Sequence, residues 1–401
     1  MRPHVDSNTG DTGKTDQIGQ VYLLSAAHFI NDMYPGFLAP LLPLLMTKIG
    51  FNLTMAAALS SILSTSNSLA QPIFGHIADK EIKPYMAIFG PLVTALFMGS
   101  IGWWNSYTAL VVIMILSGLG TAAFHPQAAV LTTRAVDRRG GLAMSIFVTG
   151  GSAGHALGAV IILPIVTWLG MKYSFITMLA GFTIFALMLR RLSTQTLKPY
   201  KTSDAHAALR NVRRRLSLVI LFSVGLIRAF LIVGFITFIP IYLHGKAMSL
   251  MLSGFAVTLF ELSGAAGALM GGPLSDRFGR KIIVLISFAA GLPLLFLFVV
   301  LQGIPAFFAL SLGGLILYSS IPVLIVMAQE LFPTRVNVVS SIMIGLSWGI
   351  GGLLVTPLGV LADRYGVAFA LRFLAIFGSA ALAASFFLTE PGRKTKIRIR
   401  R

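Results

Sequence analysis

The sequence lacks cysteine and is poor in charge. With no Cys among 401 residues, it can build neither disulfides nor a thiol nucleophile nor a cysteine metal site. Only 11% of the residues are charged, against about 25% in soluble domains. A soluble fold could not bury enough apolar surface, because 56% of the residues are hydrophobic. These deficits exclude a disulfide-stapled secreted protein and an ordinary soluble domain.

Signatures of the common cofactor and catalytic sites are also missing. The sequence has no Gly-x-x-x-x-Gly-Lys-Ser/Thr loop for ATP and no His-Glu-x-x-His motif for zinc. His28 and Asp32 could supply two metal ligands, but no further motif completes a site. An intramembrane enzyme would need a nucleophile and a base, and neither is apparent. We therefore expect no cofactor, no metal and no enzymatic activity.

Long apolar stretches recur along the chain, and each is long enough for a membrane-spanning helix of about 20 residues. The pattern predicts an all-α membrane protein with twelve transmembrane helices in the lipid bilayer. The predicted spans are 18–47, 54–78, 83–103, 105–133, 140–168, 171–192, 216–244, 248–274, 281–301, 305–330, 337–361 and 366–389.

The basic residues predict the orientation of these spans. The net charge is +18, but a nucleic-acid-binding protein clusters its basic residues on one surface. Here they punctuate the apolar stretches, so we expect no nucleic-acid partner. With both termini in the cytoplasm, most of the 31 Lys and Arg lie on the cytoplasmic side, as the positive-inside rule requires. The exceptions are Lys48, Lys172, Lys246 and Arg364 outside, and Arg228 and Arg372 within spans.

The chain repeats itself at an offset of 197 residues. The offset pairs Gly75 and Asp79 with Gly272 and Asp276, Pro43 with Pro240, and Gly154 with Gly351. Parallel repeats of this kind are typical of transporters whose two halves rock about a central site. We predict two pseudo-symmetric six-helix bundles with a linker and two tails. The predicted parts are a cytoplasmic tail 1–17 without a removable signal peptide, bundles 18–192 and 216–389, a cytoplasmic linker 193–215 and a basic tail 390–401.

The loop between the eighth and ninth spans carries a specific motif. It reads Gly-x-Leu-x-Asp-Arg-x-Gly-Arg-Lys and includes Gly272, Asp276, Arg277, Gly279 and Arg280. The motif resembles the loop signature of the major facilitator superfamily, which implies a transporter fold and a gating role for these residues. Its bonds would close the cytoplasmic side and break when the halves rock. Without that resemblance, the loop is equally typical of a tight turn and orientation signal.

Two further pairs are implied to act at the gate. The first-half copy of the loop keeps Gly75 and Asp79 but departs from the signature in the residues that follow. Glu330 and Arg335 flank the turn between the tenth and eleventh spans, where the superfamily has a recurrent bracing pair. An exposed ion pair contributes little, so this pair matters only if it is partly buried.

Two stretches resemble the fosmidomycin resistance protein family within that superfamily. The first is His28-Phe-Ile-Asn31-Asp32-x-Tyr34, and the second is Phe124-His125-Pro126, which this chain continues with Gln127 where the family usually has an acidic residue. The glycines of the fifth span, Gly150, Gly154 and Gly158, resemble the signature of proton-coupled drug exporters. Small residues four apart let helices approach closely, so we assign these three to helix packing.

A few ionisable residues lie inside predicted spans, where they are costly and usually mark a pathway. Asp32 is near the middle of the first span, with His28 one turn earlier, and Glu261 is near the centre of the eighth. We predict that these three couple transport to protons, with a structural hydrogen bond as the alternative. His155 in the fifth span is expected to pack rather than relay protons.

The expected substrate ligands are Asn31, Tyr34, His125, Arg228 and Tyr318. Arg228 aligns with Asn31 at the repeat offset and cannot lose its proton. It therefore needs a carboxylate partner, such as Asp32 or Glu261, or an anionic substrate group.

Together these features predict a proton antiporter that exports a drug or other small molecule by alternating access and so confers antibiotic resistance. We place it in the bacterial inner membrane as a monomer, with a small-molecule substrate and protons as its partners. The alternative is proton-coupled uptake of a small organic acid or other metabolite.

Overall fold

The computed structural model describes residues 9–78, 83–135, 140–194, 212–332, 339–340 and 342–389. Every regular element in these ranges is a helix, which confirms the predicted all-α fold. The predicted linker and carboxyl-terminal tail lie largely or wholly outside the described residues.

The first half of the chain begins with a broken helix. Helix α1 ends at Met33, and Pro35, which has no backbone N–H, opens a short 3₁₀ turn before α2. The elements of this half are α1 Thr9–Met33, the turn Pro35–Phe37, α2 Leu38–Ile49, α3 Leu53–Ala78, α4 Tyr85–Gly99, α5 Tyr107–Arg134, α6 Gly140–Trp168 and α7 Met178–Leu192. Shorter 3₁₀ segments lie at Ile101–Trp103 and Met171–Thr177.

The second half is built in the same way, with more interruptions near its end. A π-helical turn at Ile342–Leu346 precedes the helices of the eleventh span. The helices are α8 Val212–Gly245, α9 Leu250–Phe278, α10 Arg280–Val300, α11 Ile304–Tyr318, α12 Ser320–Leu331, α13 Ser347–Leu353, α14 Val355–Tyr365, α15 Val367–Phe377 and α16 Ser379–Ser385.

Ten helical segments in the described ranges are long and apolar enough to cross a membrane. They run from Tyr85–Trp103 to Val367–Ser385 and correspond to the third to twelfth predicted spans. Helices α1 with α2, and α3, occupy the positions of the first two spans but are not among these ten. The count of twelve crossings therefore stays a prediction for these two.

The chain forms two compact units that do not follow the midpoint of the sequence. Unit 1 contains Met1–Lys201 and Ile236–Leu262, and unit 2 contains Thr202–Phe235 and Ser263–Arg401. The end of α8 and the first half of α9 thus pack with the first-half helices. One such contact is the hydrogen bond of 2.7 Å from Thr258 Oγ1 to the carbonyl oxygen of Ala156 in α6. The predicted bundle boundaries in sequence stay predictions.

Glycine lets the first and fifth predicted spans approach closely. A Cβ on Gly154 of α6 would overlap the carbonyl oxygen of Phe29 in α1, and one on Gly150 would lie 2.6 Å from the carbonyl oxygen of Ser25. A Cβ on Gly158 would lie 2.6 Å from the carbonyl oxygen of Met33. Two backbones this close leave no room for a side chain. Helices α1 and α6 are therefore a tightly joined pair within unit 1.

Unit 2 repeats this contact at the predicted offset. A Cβ on Gly351 of α13 would lie 3.0 Å from the carbonyl oxygen of Leu226 in α8. Gly351 aligns with Gly154, and Leu226 aligns with Phe29, when the offset of 197 residues is applied. The repeat seen in the sequence is therefore also a repeat of helix packing.

Candidate functional site

Titratable residues of α1 and α5 meet in unit 1. His28 and Asp32 lie one turn apart on the same face of α1, and His125 projects from α5. His28 Nε2 is 3.1 Å from Asp32 Oδ2, and His125 Nε2 is 2.9 Å from Asp32 Oδ1. The exposed fraction of the side chain is 10% for His28, 19% for His125 and 18% for Asp32. We call these three residues the Asp32 cluster.

The ring of His28 has a fixed hydrogen-bond pattern. Its Nδ1 is 2.8 Å from the carbonyl oxygen of Phe147, and a carbonyl oxygen only accepts, so Nδ1 must carry a hydrogen. In a neutral imidazole, Nε2 then presents a lone pair to Asp32. A lone pair and a carboxylate oxygen 3.1 Å apart repel each other unless a proton lies between them. This contact therefore holds one exchangeable proton.

His125 is oriented in the opposite sense. The amide nitrogen of Gln71 is 3.3 Å from His125 Nδ1 and also 3.3 Å from Asn67 Oδ1. Because this amide nitrogen donates, His125 Nδ1 accepts, and the ring hydrogen sits on Nε2. His125 is thus a hydrogen-bond donor to Asp32 without needing an extra proton.

Asn31 also contacts the carboxylate. Its amide nitrogen donates to Asp32 Oδ1 at 2.9 Å, and its own oxygen accepts from Thr94 Oγ1 at 3.1 Å. Asn31 and Thr94 are fully buried. In this arrangement Asn31, which the sequence predicts as a substrate ligand, orients Asp32.

Glu261 lies in a second cluster of unit 1. Its Oε1 is 2.8 Å from Nδ1 of His155 in α6. Glu261 is 6% exposed, and its Oε2 has no hydrogen-bond partner among the described residues. His155, which the sequence predicts to pack, is thus bonded through its ring to a buried carboxylate.

Arg228 is fully buried in α8 of unit 2. It is 1% exposed, and its Nε and Nη1 have no hydrogen-bond partner within the part of the chain that is described. Tyr318 at the end of α11 lies near enough to interact with it electrostatically, and the Tyr318 ring packs on Gly264. The guanidinium thus keeps donors free in an apolar interior, where an unpaired charge is costly.

The predicted gating residues of unit 2 centre on Arg280 at the start of α10. Its Nη2 is 2.6 Å from Glu330 Oε1 and 3.4 Å from Asp276 Oδ1. Glu330 therefore pairs with Arg280, whereas its predicted partner Arg335 lies outside the described residues, as does Asp79. Arg277 instead lies over the ring of Phe278 at 5.2 Å.

The glycines of the predicted gating motif have different surroundings. Gly279 has a φ of +108° before α10, a conformation that favours glycine. Gly75 is in ordinary contact with Pro126, and a Cβ on Gly272 would meet no atom within 4 Å among the described residues. Of these three glycines, only Gly279 has a backbone conformation that specifically favours glycine.

Two other predicted positions have structural partners. The Tyr34 hydroxyl donates to the carbonyl oxygen of Thr177 at 2.6 Å and accepts from the Gly181 amide at 3.2 Å, and the residue is fully buried. Gln127 accepts from the backbone amide of Ala87 at 2.8 Å, in the first turn of α4. Tyr34 therefore braces α1 against α7, and Gln127 caps α4.

The Asp32 cluster is also the one group in the described ranges whose ligand atoms could surround a metal ion, since these atoms lie within 4.8 Å of one another. Two imidazoles and a carboxylate suit a divalent transition metal. However, the hydrogen on His125 Nε2 points at Asp32, so a metal would require the His125 ring and the Gln71 amide to turn. The observed bonds fit a proton better than a metal.

Comparisons with known proteins identify the class. The sequence profile of the Major Facilitator Superfamily matches residues 24–356. The fold matches a peptide transporter POT in complex with alafosfalin, with a TM-score of 0.75 at 16% identity over 92% of this chain and 93% of that one. The chain therefore belongs to the major facilitator superfamily. It is a multi-pass membrane transporter and not an enzyme.

Two relatives cover almost the whole chain. An uncharacterised transporter of the superfamily from Bacillus subtilis, YfnC, is 28% identical over 375 residues, which are 90% of this chain and 91% of the relative. The fosmidomycin resistance protein of Escherichia coli is 26% identical over 374 residues, 91% of this chain and 92% of the relative. The resemblance found in the first and fourth predicted spans is thus confirmed along the chain.

Proposed function

We propose that this transporter is a proton antiporter that exports small anionic compounds, with the Asp32 cluster as its proton site. The observation that carries the proposal is the contact between His28 Nε2 and Asp32 Oδ2, which needs a shared proton. Without that proton the cluster carries one negative charge, and with it the cluster is neutral. A buried charge is costly in the membrane, so the negative form favours a conformation in which the cluster is open to water, and the neutral form tolerates one in which it is closed. Proton binding therefore shifts the equilibrium between these conformations, and this shift couples protons to movement.

Arg228 supports an anionic substrate. Its Nε and Nη1, which have no hydrogen-bond partner among the described residues, leave donors on two edges of the guanidinium for an anionic group such as a carboxylate or phosphonate. Tyr318 lies close by and can add a contact through its hydroxyl or ring. The E. coli relative is named for fosmidomycin resistance, which favours an anionic antibiotic and export over uptake.

The proposal includes a gate and an orientation. Glu330 and Asp276 hold Arg280 in unit 2, and these bonds would loosen when the cytoplasmic side opens. Both termini are proposed to lie in the cytoplasm, with the protein in the inner membrane as a monomer.

The experiment uses full-length protein in liposomes with fosmidomycin as the probe. Asp32→Asn should keep fosmidomycin exchange at equal pH on the two sides but lose accumulation driven by a pH gradient. Asp363→Asn, the same change at an exposed carboxyl, should behave like wild type. Full gradient-driven transport by Asp32→Asn would refute the proton site.

Direction is tested in cells. A host that expresses the wild-type chain should become less susceptible to fosmidomycin, and expression of Asp32→Asn should give no protection. Greater susceptibility on wild-type expression would instead support the alternative, proton-coupled uptake.

A further inference from the structure

We propose that His155 and Glu261 form a second proton-binding site, which joins α6 to α9 within unit 1. The role of this site in transport rests on the proton coupling proposed above, but proton binding itself can be tested without any substrate.

The pair has the geometry of a shared-proton site. Glu261 Oε1 is 2.8 Å from His155 Nδ1, so Nδ1 carries the hydrogen when the carboxyl is ionised. A neutral His155 then leaves the pair with one net negative charge. One further proton, taken from water onto the imidazole, makes the ring an imidazolium and brings the net charge of the pair to zero.

Burial favours that uptake. The Glu261 side chain is 7% exposed, and its Oε2 has no hydrogen-bond partner among the described residues. Apart from the bond to His155, the carboxylate therefore has little water and no second hydrogen bond to stabilise its negative charge. The His155 side chain is 36% exposed. Protons therefore reach the pair through the imidazole, while the carboxylate stabilises the charge that results.

The surroundings contribute further charge. Among the α1 side chains that the structure describes, the titratable groups are the exposed Tyr22 and the pair His28 and Asp32, and the charge of Asp32 acts on His155 as well. His125 of α5 is bonded to Asp32. Charges at the two proton sites therefore influence each other.

The pair also lies where α6 meets α9. Thr258, one turn before Glu261 on α9, donates to the carbonyl oxygen of Ala156, the residue after His155. A Cβ on Gly36 of the 3₁₀ turn would overlap the carbonyl oxygen of His155. A change of charge at this pair therefore acts on a contact among three elements. We infer that loss of the proton loosens α6 from α9.

The test counts protons taken up by purified full-length protein when the pH is lowered from about 9.5 to 5.5, a range above that of exposed carboxyls. The double variant His155→Gln/Glu261→Gln should take up about one proton fewer per molecule than wild type, because one coupled pair is removed. Each single variant should release its proton at a lower pH than wild type, since each loses one of the two stabilising groups.

Thr258→Val is the matched control, because it removes the neighbouring bond between α6 and α9 but no titratable group. It should take up the same number of protons as wild type. Equal uptake by wild type and the double variant would overturn the proposal, and so would an equal loss in Thr258→Val. Asp32→Asn is measured alongside them: if it alone loses no proton, the site under Proposed function fails while this one stands.

Discussion

His28 and His125 bond to the same carboxylate, but at the scale of single residues they are not equivalent. Nδ1 of His28 faces a carbonyl oxygen, and Nδ1 of His125 faces an amide that donates. As a result, His28 must share a proton with Asp32, whereas His125 supplies a fixed N–H. Only His28 is then part of the exchangeable proton site.

This difference predicts opposite outcomes for one substitution. The amide of glutamine can replace a fixed N–H donor but cannot hold an extra proton at neutral pH. His28→Gln should therefore abolish the response to a pH gradient in liposomes, while His125→Gln should keep most of it, with a loss of no more than about tenfold, the equivalent of one hydrogen bond. Both should keep fosmidomycin exchange at equal pH. If His125→Gln is the variant that loses coupling, our assignment of the two rings is reversed.

Arg228 gives a second prediction at the residue scale. If its unpartnered donors bind an anionic group, Arg228→Gln should weaken fosmidomycin binding to purified protein by about 2–5 kcal/mol, the usual effect of removing one member of a buried charge pair. That corresponds to roughly a 30-fold or larger rise in Kd. Arg372→Gln is the control, since Arg372 is exposed and its Nε bonds to Ala368 in its own helix. Equal Kd values for wild type and Arg228→Gln would exclude Arg228 as a ligand.

At the scale of helices, glycine determines how closely the spans approach. Gly154 on α6 lies against the backbone of α1 at Phe29, and Gly351 on α13 lies against the backbone of α8 at Leu226. Helices α1 and α8 are the first helices of the two halves of the chain. A methyl group at either position can be accommodated only if the helices separate, because backbone cannot turn away as a flexible side chain can. The same substitution should therefore have the same effect in both units.

Gly154→Ala and Gly351→Ala should each lower the thermal unfolding midpoint, with a cost of about 1–3 kcal/mol for overpacking. Gly272→Ala is the control within a helix, since a Cβ there meets no atom within 4 Å among the described residues. It should leave the midpoint unchanged or raise it, because alanine favours helix by up to about 1 kcal/mol over glycine. A stable Gly154→Ala variant would show that α1 and α6 are not held as closely as described.

The sequence predicts these elements better than it predicts their contacts. The lengths of the apolar stretches predict the helices, and the repeat predicts that Gly154 and Gly351 are equivalent positions. Both predictions need only the spacing of residues along the chain. The partners of Asp32 and Glu261 depend on helix packing. His28 is found from its place one turn before Asp32, but His125 lies 93 residues away. His155 lies 106 residues from Glu261, and nothing in its local sequence marks it as a partner.

At the scale of the whole molecule, the four cations that are predicted to lie outside have local contacts. Lys48 donates to the carbonyl oxygens of Gly102 and Trp104 at 2.8 and 3.0 Å. The other three cations predicted to lie outside each sit over the ring of a tyrosine, at Lys172 over Tyr173, Lys246 over Tyr242 and Arg364 over Tyr365. These side chains are used for packing at the ends of helices, so they do not argue against the predicted orientation.

The absence of cysteine makes that orientation directly testable, because any introduced thiol is the only one in the chain. Asn105→Cys and Ser249→Cys are at exposed positions just before α5 and α9, at helix ends predicted to face outside, and Thr194→Cys and Thr389→Cys are at exposed positions on the predicted cytoplasmic side. A membrane-impermeant maleimide should label the first two in intact cells and the last two only in inverted vesicles. The cysteine-free parent should remain unlabelled in both. Thr194 follows the sixth predicted span and Thr389 ends the twelfth. Labelling of these two from opposite faces would mean an odd number of crossings between them, and the two-bundle arrangement with six spans each would be wrong.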